Sequence, residues 1–333
     1  MNIEIIAELA QGFEGRPEQA RLLIKAAAAA GADAAKLQLV YADELATPDY
    51  KHYELFRSLE MADEVWAGLA TYAAELGIQL YLDIFGSRSL QLAERIGAGA
   101  LKLHGTDIAN IGFLTEVANS SVQKVLLGAG GAYHSEIKQA IEILLTKDVV
   151  LLLGFQGYPT PTGANQIARV RLLVDQLTTS HPHVAVGFAD HASPESPLSY
   201  ALAAMAIGAG ARVLEKHLTL GKVMKLEDHE AALSPDEFAE FTQTIHGCSE
   251  AMGIAADHAD FGMSKSEQDY RAMIRRHVVA NKSLDPGMVV SPSDLTLKRT
   301  SSEQPITDLS LVYQRTMKVG LQMNAPVSLT DIV

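Results

Sequence analysis

The chain has 333 residues, enough for one large domain and a small one. Its composition, 48% hydrophobic and 20% charged, is that of an ordinary globular protein. The net charge of -13 argues against nucleic acid or an anionic membrane as partner, since both recruit basic patches, but leaves an anionic small molecule open, because a few placed lysines reverse a local field.

The single cysteine, Cys248, rules out an intrachain disulfide and reads as an inert thiol in a reducing cytoplasm. Met1–Ile6 has neither the basic region nor the apolar core of a signal peptide, and no stretch approaches the ~20 apolar residues of a membrane span.

Along the chain, eight short apolar runs alternate with long helical patterns such as Pro17–Ala30. The first run, Ile3–Leu9, carries Glu8 and is followed by Glu14. The second, Ala35–Val40, holds Lys36 and Gln38. The third, Ile78–Leu82, leads into Asp83. The fourth, Ala100–Leu103, holds Lys102 and is followed by His104 and Asp107. The fifth, Lys124–Leu127, runs into Gly128-Ala129-Gly130-Gly131, and the sixth, Val149–Leu153, into Gln156 and Tyr158. The seventh, Val184–Gly187, precedes Asp190-His191, and the eighth, Arg212–Lys216, gives Glu215 and His217. Runs of this kind suit parallel strands covered on both faces. Eight strand–helix units predict a (β/α)8 TIM barrel over residues 1–253. Gly31, Gly97 and Gly208 stop helices before strands, and a structural role accounts for them.

Past Gly253 the pattern changes. Residues 254–273, polar and rich in Asp and Ser, read as a linker. Residues 274–333 hold short runs separated by turn signals, notably Ile274–Asn281, Asp285-Pro286-Gly287 and Val327–Val333. A β-rich module of about 60 residues is small to be stable by core burial alone, so it is expected to lean on the barrel or on a second subunit.

Barrel chemistry sits at the C-terminal ends of the strands, where the polar residues named above converge. Each has a plainer reading: Lys36 or Lys102 could pair with a neighbouring carboxylate, and the glycine run could be only a turn. Six or more ionisable groups on one rim exceed what stability explains, because burying them is unfavourable unless a ligand or metal organises them. His191 and His217 end adjacent strands and are the best metal candidates; two imidazoles suit Mn, Fe, Zn, Co or Ni. On spacing alone, two satisfied core histidines fit as well. His181 and His183 precede the seventh strand, on the stability face, and are set aside, while His229 follows Asp228 in a loop.

Several motifs are shared with one family. They are Ile6-Ala7-Glu8 with Glu14-Gly15, Gly31–Gln38, Tyr158-Pro159-Thr160-Pro161, Gly187–His191, Glu215–Leu220, Asp228-His229 and Ser234–Phe238. The chain resembles the sialic acid synthase family, phosphoenolpyruvate-dependent synthases of nonulosonic acids. The tail from Arg275 through Asp285-Pro286-Gly287 to Lys298-Arg299 resembles that family's antifreeze-like (SAF) domain. The resemblance implies a divalent metal, Mn or Mg, on His191 and His217, acting on the aldehyde of an open-chain N-acyl amino sugar. It implies that Lys36 and Lys102 neutralise the anionic donor, and that Glu14, Asp107 and Asp228 handle protons and sugar hydroxyls. Glu215 joins these as a catalytic candidate. Gln38, Gln156 and Tyr158 match substrate-contacting positions, and Arg299 matches an arginine offered to the acyl group across a domain-swapped homodimer.

The family places serines near the donor phosphate after strands four, five and seven; here Gly105, Gly128 and Ala189 stand there. A threonine near the donor carboxylate reads Asp83, and an asparagine near the phosphate reads Gln156. Two further readings follow: a metal-dependent aldolase or lyase with another donor, and a non-catalytic sugar-binding relative.

Overall fold

A computed structural model describes residues 3–154, 157–253, 261–302 and 306–333. The chain divides into two compact units, Met1–Gly253 and Ile254–Val333.

The first unit is a closed parallel barrel of eight strands in sequential order. They are β1 (Glu4–Ala10), β2 (Ala34–Gln38), β3 (Gln79–Asp83), β4 (Ala100–Leu103), β5 (Lys124–Gly128), β6 (Asp148–Leu153), β7 (Val184–Asp190) and β8 (Val213–His217). All eight expected strands are present, with ends displaced by a few residues. Among the described residues ten α-helices surround or join them: α1 (Pro17–Ala29), α2 (Ala42–Leu45), α3 (Tyr53–Leu59), α4 (Asp63–Glu75), α5 (Ser87–Arg95), α6 (Ile111–Ala118), α7 (His134–Ile143), α8 (Ala168–Leu177), α9 (Ser199–Gly208) and α10 (Pro235–Met252).

Local chemistry explains these boundaries. α1 opens on Pro17, whose missing N–H falls where the helix has no partner for it, and buries Ala20, Leu23, Ile24 and Ala27 on one stripe. Gly31, at φ 79, then turns the chain into β2. α10 starts on a capping box: the Ser234 hydroxyl and N–H both donate to Glu237 Oε2 at 2.8 Å.

Strand alternation sorts the barrel interior into layers. At the bottom, Tyr81 Oη donates to Glu4 Oε1 at 2.6 Å, and Lys124 pairs with Glu4. Above lies an apolar layer of Ile6, Ala34, Ala100, Leu126, Val150 and Val213. On β1–β4 and β8 the next inward positions, near the C-terminal ends, are charged, whereas β5 and β6 place Gly128 and Leu152 there. Outward residues such as Ile5, Leu37, Leu101 and Leu214 pack under the helices. Among the described residues no helix is long and apolar enough to cross a membrane.

In the second unit, β9 (His277–Ala280) pairs antiparallel with β10 (Leu295–Lys298), and isolated bridges such as Leu284–Leu321 and Met317–Ile332 complete a small β-rich fold. Its core is its own: Val278, Ala280, Leu284, Val290, Val312, Met317 and Val327. The linker reading of 254–273 needs correction. Residues 254–260 lie outside the described residues, but Lys265–Ile274 is a helix, α11, of the second unit. Ser264 caps it by accepting from the Glu267 N–H at 3.1 Å, and Ser264-x-x-Glu267 is a helix-start signal that polar composition masked.

Candidate active site

Five charged side chains from β1, β2, β3, β4 and β8 meet inside the barrel mouth. Register places Glu8 beside Lys36 and His217, and Asp83 beside Lys102. Glu8, Lys36, Asp83, Lys102 and Glu215 are all buried. Lys36 is the hub. Its ammonium pairs with Glu8, donates to Asp83 Oδ1 at 2.7 Å and stands 3.5 Å from Glu215 Oε2. Lys102 donates to both Glu215 oxygens, at 3.2 and 3.3 Å, and Asp83 Oδ2 lies 2.9 Å from His104 Nε2.

Three carboxyls therefore face two ammoniums, and the odd one takes the proton. Burial pushes the Glu8 carboxyl up to about 8, with the fields of Asp83 and Glu215 adding to it and Lys36 opposing. Burial also disfavours ionised Asp83, but Lys36 and the His104 hydrogen bond outweigh it and hold Asp83 below the usual carboxylate range. Glu215 is likewise held low against burial, by Lys102 and then Lys36. With Glu8 protonated, Lys36 and Lys102 balance Asp83 and Glu215.

Above this cluster stands the histidine pair. His217 ends β8 and His191 follows the last residue of β7, with ring centroids 5.2 Å apart. The Tyr158 ring stands edge-on to both, at 5.2 and 5.6 Å. The Thr160 N–H donates to the His191 carbonyl at 2.8 Å. Burial lowers His191 to about 4 and carries His217 well below its ordinary value, so both rings are neutral near pH 7. His191 Nδ1 is buried with no hydrogen-bond partner. A neutral, desolvated imidazole with an orphaned nitrogen is a competent metal donor. His217 is likewise buried and neutral, with Nδ1 beside Asp228, and the two imidazoles are a donor pair of the kind that suits a divalent cation. Among the described residues no group of three or more His, Cys, Asp or Glu is arranged to hold a metal.

The remaining expected residues spread around the mouth. Asp228 Oδ2 is 3.8 Å from His217 Nδ1; burial, then Glu227 and Glu230, push its carboxyl up to about 7. Burial, then Asp228, raises the Tyr158 hydroxyl. Gln38 Oε1 accepts from Gln11 Nε2 at 2.8 Å. Asp107 closes a single 3-10 turn, Gly105–Asp107, and burial raises it against the field of His104. Glu14 lies outside the charged cluster. It accepts from Gln19 at 3.3 Å and lines a cavity of about 400 Å³ with Gln11, Arg16, Ser58, Lys225 and Glu227. Gln156 lies outside the described residues. Arg299 follows β10 in the second unit, exposed and, among the described residues, without an ion pair.

Glu8, Asp83 and His104, placed by the sequence at the C-terminal strand ends but given no chemical role there, belong to the cluster. A carboxylate repeating at Glu4 and Glu8 around Ile6, within an apolar run, was the available signal for Glu8.

The rim of β4–β7 is closed by backbone against backbone. A Cβ at Gly105 would stand 2.7 Å from Gly130 O, and one at Gly128 would stand 2.7 Å from Gly105 N. At Gly130 it would meet Gly154 O at 2.1 Å. Hydroxyl side chains cannot be carried at these positions without moving the strands apart.

Comparison with known proteins gives this geometry a context. The NeuB family model matches residues 23–257, about 70% of the chain. The chain is 26% identical to an N,N'-diacetyllegionaminic acid synthase of Legionella pneumophila, over 96% of this chain and 92% of that protein. It is 26% identical to a mouse N-acetylneuraminate-9-phosphate synthase, over 88% and 82%. Its fold matches a spore coat polysaccharide biosynthesis protein E of Chromobacterium violaceum with a TM-score of 0.83 over the full length of both chains, at 22% identity. The chain belongs to the NeuB family, and the relatives named above are synthases of sialic-acid-like sugars.

Proposed function

We propose that this NeuB-family chain condenses phosphoenolpyruvate with an open-chain N-acyl amino sugar to give a nonulosonic acid and phosphate. The observation that carries the reading is the stacking of two layers in one mouth: buried Lys36 and Lys102 below, neutral His191 and His217 above. Carbon 3 of the donor would form the new bond to the aldehyde carbon; water adds at carbon 2 and phosphate leaves. A divalent cation on His191 and His217, manganese or magnesium, would supply Lewis acidity at the aldehyde oxygen. Lys36 and Lys102 would face the donor's negative charge, and Glu215 would hold Lys102 in place. Asp228, Asp107 and Glu14 would exchange protons and bind sugar hydroxyls, beside Gln38, Gln156 and Tyr158. The partner subunit's Arg299 would meet the acyl group in a domain-swapped dimer.

A second reading keeps the carbonyl chemistry but changes the donor, as in a metal-dependent aldolase or lyase. It is favoured by Asp83, which already occupies Lys36 at 2.7 Å, and by a rim that excludes hydroxyls at Gly105 and Gly128. The test is phosphate release from phosphoenolpyruvate with a panel of N-acyl amino sugars and Mn(II). The first reading expects release that depends on sugar and vanishes in His191→Ala and Lys36→Ala. Carbon–carbon bond formation with an unphosphorylated 2-oxo acid, and none with phosphoenolpyruvate, would establish the second.

A further inference from the structure

Two buried ionisable side chains have no part in the chemistry proposed above. Lys216 and Asp190 are both almost completely buried and are directly paired in the β7–β8 register. Glu215 and His217 face the mouth, so Lys216 between them faces the helix layer. Its ammonium stands 3.3 Å from Asp190 Oδ2 and donates to the Ala192 carbonyl at 2.8 Å. Asp190 Oδ1 in turn accepts from the Ala192 N–H at 2.8 Å. Both polar groups of the Ala192 backbone are thus held, one by each strand. His191 is the residue enclosed by this clamp, and His217 is the residue after Lys216.

A buried ion pair is not in itself a stabilising device, since apolar residues of similar volume often serve as well or better. What a charged pair adds is direction. An ammonium on a carbonyl and a carboxylate on an N–H hold a backbone segment in one place, where an apolar contact would let it slide. We propose that Asp190 and Lys216 are positioning residues for the histidine pair: they hold residues 190–192 against β8 so that the His191 and His217 rings keep a separation a shared cation can bridge. This rests on the metal reading of those histidines, but the clamp itself can be tested without metal.

The variant Asp190→Leu/Lys216→Met removes both charges and leaves neither unpaired. Three quantities are read on the full chain: folding by Trp66 fluorescence, Mn(II) affinity by calorimetry, and hydrogen exchange of the Thr160 amide in metal-free protein. Thr160 donates to the His191 carbonyl and reports displacement of that residue. The expected result is a folded protein with Mn(II) affinity reduced by about 10–100-fold and faster Thr160 exchange. A folded variant with wild-type affinity and exchange overturns the proposal. So does a loss of affinity without faster exchange, which would be an effect of charge and not of position. If wild-type protein takes up no Mn(II), the metal reading fails, and Thr160 exchange alone decides the clamp. Should the double variant not fold, Asp190→Asn keeps an oxygen acceptor for the Ala192 N–H and is expected to stay within about threefold of wild-type affinity; a loss in the 10–100-fold range there would overturn positioning.

Discussion

Glu8 offers a direct test of the charge count in the barrel mouth. Its carboxyl titrates near 4.5 ordinarily and near 8 in the folded cluster. Between those values the folded protein holds a proton that the unfolded chain has released. Stability from this group is therefore full below about pH 4.5 and is lost as pH rises through about 8. The interval corresponds to roughly 4–5 kcal/mol, at about 1.4 kcal/mol per pH unit. Glu8→Gln replaces the neutral acid by a neutral amide of the same shape. The amide can still accept from the Ala10 N–H, which reaches Glu8 Oε1 at 2.8 Å, but it turns an NH2 group toward Lys36 or gives up that bond. The loss is about 1 kcal/mol and nearly independent of pH. Wild type should thus be the more stable protein at pH 5 and lose that advantage by pH 9, the difference changing by several kcal/mol. Trp66, the only tryptophan, is buried in α4, so denaturation followed by its fluorescence reads the barrel alone. A difference between the two proteins that stays constant from pH 5 to pH 9 would show that Glu8 does not carry the cluster's proton.

Other substitutions have outcomes set by the same geometry. Lys36→Met leaves Glu8, Asp83 and Glu215 facing one another and should cost about 3–5 kcal/mol by urea denaturation; a loss under 1 kcal/mol would mean that Lys36 is not the hub. Gly105→Ser should destabilise by about 1–3 kcal/mol and leave donor affinity unimproved, because its Cβ meets backbone at 2.7 Å; a tolerated serine that tightens phosphate binding would refute the closed rim. Arg299→Ala should weaken acceptor binding in steady-state kinetics and leave donor binding unchanged, and full activity in a chain ending at Gly253 would refute any role for the second unit.

The barrel was legible because its signal is local and repeated: eight apolar runs, each too short for a helix, at near-regular intervals. The histidine pair was legible because adjacent strands of a barrel end side by side, which brings His191 and His217 together without knowledge of any loop. The cluster beneath was only half legible. Lys36, Lys102 and Glu215 stood out as charges in apolar runs, but which carboxylate meets which ammonium depends on strand register. Glu8 and Asp83 therefore entered as separate residues, when they are two sides of one network. Asp83 stands where the family places a threonine near the donor carboxylate; in the fold it is held by Lys36 and His104, so its effect is to occupy a lysine. The helix α11 was lost to composition, since exposed helices carry the same polar residues as linkers. The closeness of Gly105, Gly128 and Gly130 to neighbouring backbone depends on how tightly the strands converge, which no local pattern encodes.

The proposed function requires this mouth to receive phosphoenolpyruvate despite its balanced charges. Calorimetric titration of the Mn(II)-loaded protein with phosphoenolpyruvate, before any sugar is added, tests it most directly. Saturable binding that disappears with a chelator and in Lys102→Ala is the expected result. No binding up to millimolar concentration would contradict it: Asp83 and the closed glycine rim would then have removed the donor site, and the donor would have to be one of lower charge.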